Sequence, residues 1–354
     1  MGLPVERSLS IFNFKQLPIA FLGSIVLFFI IQSMVEKSET FWRFCYFFSD
    51  PLVDDAIRLE AQLRTISPGD EQKTIFLTGS SQTREDFDVD YLNREFKKAH
   101  TTFYSLGVSG NASPIEMFML KEKLLARKPE VLIYVPFVGT FYSSYDFRKM
   151  KYYFNPVILP YLVKYVGIKN ILTHPHLRTY FIDSFLGRAT IFYQYRESIG
   201  RILLRAMRHY THIERQGAPE RYAYKTNKPR AYFEREIKKA RESKYRPTPY
   251  TALSKSLFIL FAKHVIAQGV KLIVVTGPVH PLIKMCYKRE IDADYEHFLS
   301  GQAHNLGFVY LPESQLPSFK EEEFVDFTHL NASGRKRFSR FIKSYLSQGN
   351  NPSS

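Results

Sequence analysis

The chain has 354 residues, is 45% hydrophobic and 16% aromatic, and carries 49 Lys and Arg against 34 Asp and Glu, a formal net charge of +15. Such a charge suits an anionic partner (lipid head groups, an acidic glycan or nucleic acid), and nucleic acid ranks last because no zinc-finger spacing, basic-region zipper or aromatic RNA-binding signature is present. Two cysteines, Cys45 and Cys286, exclude a disulfide framework and match no metal spacing.

Residues 1–16 read as a cytoplasmic tail. Residues 17–35, LPIAFLGSIVLFFIIQSMV, hold no charge. A helix of that length reaches about 28 Å, close to the thickness of the hydrocarbon layer, so the stretch is expected to be a single transmembrane anchor. Arg7 and Lys15 precede it, whereas Glu36, Lys37 and Glu39 follow. The basic excess lies on the N-terminal side, which places the rest of the chain on the extracytoplasmic side of the membrane. A cleaved signal peptide is the competing reading, but the apolar run is long for one and no small-x-small site follows. Residues 36–70 are expected to be a membrane-proximal linker, with TFWRFCYFF at 40–48 either at the head-group interface or packed on the globular part.

Beyond residue 70, short apolar runs alternate with helical patterns. Strands are expected at 74–78, 102–106, 131–135, 271–276 and 308–311. The first two are followed by Gly79 and Gly107. Ser113, Pro114 and Glu116 carry an N-cap, first-position and capping-box pattern for a helix running to Arg127. Further helices are expected over 257–268, from about Arg289 to Asn305, and from Ser333 onward. Continuous apolar strands separated by helices imply a mostly parallel five-stranded sheet covered on both faces. That α/β unit is expected to span 71–145 and 251–347. Between them, 146–250 reads as a basic, aromatic-rich helical insertion with an apolar stripe at Ile191, Tyr195, Ile199, Leu203 and Met207. Residues 348–354 read as a disordered tail.

Three short motifs carry chemistry. Gly79-Ser80-Ser81 ends the first strand, where a serine hydroxyl needs only a neighbouring base to become a nucleophile. Gly107-Val108-Ser109-Gly110-Asn111 ends the second, where glycine lets backbone N–H groups approach a developing oxyanion. Asp326-Phe327-Thr328-His329 precedes the last helix, where a carboxylate and an imidazole three residues apart on a turn can lie side by side. Each motif is common when met singly. All three fall at or beyond strand carboxyl ends, where ligands bind in sheets of this kind.

In that order and placement the motifs resemble the SGNH, or GDSL, hydrolase superfamily. The resemblance covers roughly 71–140 and 252–347. It implies a flavodoxin-like three-layer α/β/α sandwich with Ser81 as nucleophile, His329 as general base, Asp326 as its partner, and Gly110 with Asn111 at the oxyanion hole. The family's third block, Gly-x-Asn-Asp, has no counterpart in Val135-Pro136-Phe137-Val138-Gly139-Thr140. With the N-terminal anchor, the pattern resembles a narrower group that includes the D-alanyl transfer protein of teichoic acid synthesis and SGNH proteins that acetylate exported polysaccharides. Members work beside a multi-spanning membrane O-acyltransferase. The resemblance therefore implies transfer of an acyl group onto or off an extracytoplasmic anionic polymer or lipid, with no cofactor. His280, after the fourth strand, is a candidate substrate contact. The pairs His174/His176 and His209/His212 lack matching carboxylates or cysteines, so no metal site is expected. Two other readings stay open: a non-catalytic SGNH-like partner or binding module, and a structural membrane-surface protein.

Overall fold

In the computed structural model, residues 17–50, 53–66, 72–109, 113–142, 150–153, 156–173, 185–187, 190–210, 228–243, 247–286 and 289–348 are described. The chain enters through α1 (Leu17–Lys37), α2 (Glu39–Phe48) and α3 (Asp55–Thr65). It continues through β1 (Lys73–Gly79), α4 (Ser81–Glu85), α5 (Val89–Glu95), β2 (Thr101–Gly107), α6 (Pro114–Leu125), β3 (Val131–Val135) and α7 (Val138–Tyr142). Short helices α8 (Met150–Tyr153), α9 (Leu159–Val166), α10 (Ile168–Thr173) and α11 (Ile191–Gln194) follow. They lead to α12 (Arg196–Tyr210), α13 (Arg230–Ser243) and α14 (Pro249–Ala267). The chain closes with β4 (Lys271–Val275), α15 (Pro281–Lys284), α16 (Arg289–Leu306), β5 (Val309–Leu311) and α17 (Ala332–Gln348).

The five strands form one all-parallel sheet in the order β2-β1-β3-β4-β5. Alternate residues of each strand enter opposite layers, as the two-residue period requires. Phe76, Leu132, Tyr134, Leu272 and Val274 pack under α3, α6, α14 and α16, while Ile75, Leu77, Ile133, Val135, Ile273 and Val275 pack under α5 and α17. The sheet is buried on both faces, which is why its strands read as unbroken apolar runs. The direction of winding reverses between β1 and β3, the place at whose carboxyl ends sheets of this kind bind their ligands. At the start of α6 the Ser113 N–H donates to Glu116 Oε2 at 2.9 Å, the reciprocal half of the expected capping box.

The N-terminal region departs from expectation. No single helix among the described residues is long and apolar enough to cross a membrane. Phe21–Lys37 and Glu39–Phe48, bent by 71° at Ser38, pass together on length and composition. Residues expected to be a linker include the helices α2 and α3, and Trp42, Cys45, Ile57, Leu59 and Leu63 are buried in the main core. The apolar periodicity of α3 was masked by its charged residues.

The described part of the insertion is mostly helical, and its expected stripe holds only in its first half. The helix breaks at Tyr195, and α12 buries Ser198, Ile202 and Ala206, leaving Leu203 and Met207 exposed. Ile191 and Tyr195 are buried as expected and Ile199 packs partly buried against the core, so it is only beyond the break that the buried row lies one residue before the expected one. Its register is set by charge as well as by apolar contact. Arg201 Nε donates to Asp54 Oδ1 at 2.8 Å, Arg205 also bonds Asp54, and Arg205 Nη1 reaches the Phe48 carbonyl at 3.1 Å.

Candidate active site

β1 ends at Gly79, whose φ of +138° is a conformation that side-chain-bearing residues rarely adopt. A Cβ there would also lie 2.8 Å from the Val135 carbonyl of the neighbouring strand. Gly107, its register partner on β2, faces a similar squeeze: a Cβ would sit 2.6 Å from the Ser80 carbonyl and 2.7 Å from the Arg84 nitrogen. The two glycines let the strand-to-helix turn close tightly. Ser80 caps that turn, its Oγ accepting from the Gln82 N–H at 3.2 Å. Gln82 Nε2 donates to the Pro278 carbonyl at 2.6 Å and Thr83 Oγ1 to the Thr78 carbonyl at 3.0 Å, pinning α4 to the ends of β4 and β1.

Ser81, the first residue of α4, meets His329 from the far end of the sequence. Its Oγ lies 2.8 Å from His329 Nε2. His329 Nδ1 lies 2.9 Å from both carboxylate oxygens of Asp326. Asp326 Oδ1 also accepts the backbone N–H groups of Thr328 and His329, each at 3.0 Å, so the carboxylate both shapes the turn and holds the ring. A bridge between Phe324 and Leu330 and the bond from Val325 N–H to the His329 carbonyl, 2.9 Å, brace the loop. Asn331 Oδ1 then accepts from Ser333 and Gly334 to cap α17. Serine, imidazole and carboxylate, 248 residues apart at the extremes, are in hydrogen-bonded series.

Two further carboxyl groups stand close by, one at the end of α4 and one just beyond it. Glu85 Oε2 is 3.5 Å from His329 Nε2, and its other oxygen accepts from Arg84 Nη2 at 2.6 Å. Asp86 is fully buried; its Oδ1 accepts the Leu330 N–H at 2.8 Å, and its Oδ2 has no hydrogen-bond partner among the described residues. The sequence carried a trace of Glu85: it stands four places after Ser81 in Ser81-Gln82-Thr83-Arg84-Glu85, the spacing that puts two side chains on one helix face.

The charges follow from these neighbours. Burial favours the neutral imidazole of His329, but its bond to Asp326 and the fields of Asp326, Glu85 and Asp86 outweigh it and carry the group up to about 9. Burial pushes the Asp326 carboxyl up, yet the bond to His329, its positive charge and the two backbone donors bring it below the usual carboxylate range. Asp86, burdened first by burial and then by Glu85 and Asp326, is driven well above that range in spite of His329 and the Leu330 N–H.

The other expected site residues divide. Gly110 and Asn111 lie outside the described residues, as do His174, His176 and His212. His280 does not face an open cleft. It is 2% exposed, its Nδ1 accepts from the Leu282 N–H at 3.2 Å, and its ring lies 4.6 Å from Phe233 and 5.3 Å from Phe324. Burial lowers its proton affinity, against Glu321 and Asp326. Its backbone N–H donates to the Phe327 carbonyl at 2.9 Å, so it braces the Asp326–His329 loop from behind. In the segment after β3, Phe137 joins Phe233, Val279, Ile283 and Phe327 in a small apolar cluster. His209 packs its ring against Phe47 and Phe48. Among the described residues no three His, Cys, Asp or Glu side chains are grouped to hold a metal ion. No protein-family model matches the sequence, and no curated protein matches it significantly.

Proposed function

We propose that this chain is an SGNH-type serine esterase or O-acyltransferase that works at the extracytoplasmic face of a membrane. The observation that carries the reading is the series Ser81 Oγ, His329 Nε2, His329 Nδ1, Asp326, with contacts of 2.8 and 2.9 Å. It is supported by the strand order 2-1-3-4-5, the flavodoxin-like arrangement, and by the location of Ser81 at the carboxyl end of β1, beside the reversal in winding.

In this mechanism Ser81 Oγ attacks the carbonyl carbon of an acyl ester or thioester while its proton passes to His329 Nε2. Asp326 accepts from Nδ1, fixing the tautomer and stabilising the imidazolium. The tetrahedral oxyanion is held by backbone N–H groups, that of Ser81 among them, together with donors from Gly110 and Asn111. Collapse expels the leaving group, which takes the proton from Nε2, and an acyl-serine remains. Water or a hydroxyl of a polymer or lipid then resolves it, giving hydrolysis or transfer. The net charge of +15 suits an anionic acceptor. The exposed Phe21, Leu22, Phe29, Ile30 and Met34 along α1 form an apolar surface suited to a bilayer, supporting an N-terminal membrane anchor.

A second reading, a non-catalytic SGNH-like partner of a membrane O-acyltransferase, is favoured by one feature. The segment after β3 offers an apolar cluster around Phe137 where the family carries its oxyanion-binding Asn. A fluorophosphonate probe separates the two. Labelling of the full chain that disappears in Ser81→Ala supports the enzyme, and labelling that survives the substitution refutes Ser81 as nucleophile. A chain that no probe labels at any pH, yet co-purifies with a membrane acyltransferase, selects the partner role.

A further inference from the structure

The mechanism above uses one carboxylate on His329, but the ring has two. Ser81 and Glu85 stand one helical turn apart on α4, and both face His329 Nε2, at 2.8 and 3.5 Å. The longer distance is ion-pair reach rather than a good hydrogen bond, so Ser81 is the bonded partner and Glu85 stands beside it. Glu85 is 5% exposed and is not free to swing away. Arg84 Nη2 grips its other oxygen at 2.6 Å, and Arg84 Nη1 is itself held by Ser109 Oγ at 2.8 Å. A buried carboxylate clamped in this way, with an oxygen directed at the same nitrogen that receives the serine proton, is more than a helix-surface ion pair.

We propose that Glu85 is a second carboxylate partner of His329, a positioning residue that holds the imidazolium from its Nε2 side and sets the pH range in which Ser81 can be activated. This rests on the triad reading for its catalytic consequence, though the ion pair itself does not. When the proton of Ser81 reaches Nε2, the N–H finds Glu85 Oε2 within a few tenths of an ångström of bonding distance, so the ring is retained while Oγ stays on the acyl carbon. The same contact holds a proton on the resting ring and withholds the base at neutral pH. Among the described residues, the ionisable groups that face the imidazole are Asp326 from its own loop, Glu85 at the end of α4 and Asp86 just beyond it, with Arg84 behind Glu85. The bond to Asp326 and the fields of Asp326 and then Glu85 push the imidazole, against its burial, up to about 9.

The test follows two signals in the full chain, in detergent or nanodiscs, for the native protein, Glu85→Gln and Glu85→Asp. The first is the titration of the His329 ring by NMR on histidine-labelled protein, assigned by its loss in His329→Gln. The second is the rate of fluorophosphonate labelling against pH. Glu85→Gln should lower the ring's midpoint by about one pH unit and move the rise in labelling rate toward acid by the same amount, a gain of up to roughly tenfold near pH 7. Glu85→Asp keeps the charge but draws it back by one methylene, so it should shift both by less, and it carries the test if Glu85→Gln does not fold. A ring midpoint that stays put in the folded variants overturns the proposal even if Ser81 labels normally. A midpoint that moves in a chain that no probe labels upholds the ion pair and instead defeats the triad reading.

Discussion

Replacing His329 with Gln should cost stability in a way that depends on pH, and the size of the effect follows from the ring's surroundings. Burial opposes the imidazolium, but Asp326 and Glu85 overcome that opposition and raise the group to about 9 from an ordinary 6.5. The ring is 17% exposed, so solvent weakens these fields only modestly. A group that binds its proton more tightly when folded contributes stability that is fully present below the unfolded value and is lost as the pH rises through the folded one. The gap corresponds to roughly 3 kcal/mol at pH 6, about 2 kcal/mol at pH 7.5 and almost nothing at pH 10. Urea unfolding of the native chain and His329→Gln, side by side at those three pH values, reads the difference directly. Lysines and tyrosines that titrate in the same range cancel between the two proteins. Any constant loss from the missing side chain offsets the whole curve without changing its shape. A stability difference that stays level from pH 6 to pH 10 would show that the imidazole is not held as an ion pair, and the site's electrostatics as drawn here would be wrong.

Two other substitutions probe the surroundings of the site. Asp86→Asn keeps an acceptor for the Leu330 N–H while removing a carboxyl that burial holds in its protonated form, so it should stabilise the protein increasingly with pH, by about 1 kcal/mol per unit above pH 4 while Asp86 keeps its proton; thermal melts at pH 5 and pH 8 that show equal gains would contradict this. Gly107→Ala drives a methyl group against the Ser80 carbonyl and the Arg84 nitrogen, both backbone atoms that cannot rotate aside. It should cost about 1–3 kcal/mol and depress probe labelling of Ser81, the residue between them; a stable variant with native labelling would mean that the turn is looser than its geometry indicates.

Much of the architecture was legible in the sequence because strands buried on both faces announce themselves as apolar runs between helices. Ser81, Asp326 and His329 were legible because each occupies a recognisable place, a strand end or a turn before a helix. Glu85 and Asp86 were not, because α4 is a single turn with no apolar periodicity to mark it as a helix, and the four-residue relation to Ser81 exists only once the helix does. His280 was read as facing the site from its place after β4. Its ring instead fills a pocket of phenylalanines drawn from α13 and the Asp326 loop, a tertiary circumstance that no local pattern records. The stripe from Ile191 to Met207 held at Ile191 and Tyr195, which are buried, and partly at Ile199, and failed at Leu203 and Met207, because after the interruption at Tyr195 it is Ser198, Ile202 and Ala206 that face the core.

Asp54 and Asp55, adjacent at the start of α3, hold different parts of the molecule. Asp54 grips Arg201 and Arg205 of the insertion, and Asp55 Oδ2 accepts the Ser109 N–H at 2.9 Å. From Ser109 the contacts continue through Arg84 and Glu85 to His329. A series of polar contacts therefore runs from the insertion's α12 to the surroundings of the imidazole. One turn of α3 thus anchors both the insertion and, by way of Ser109 and Arg84, the carboxylate that stands beside the imidazole.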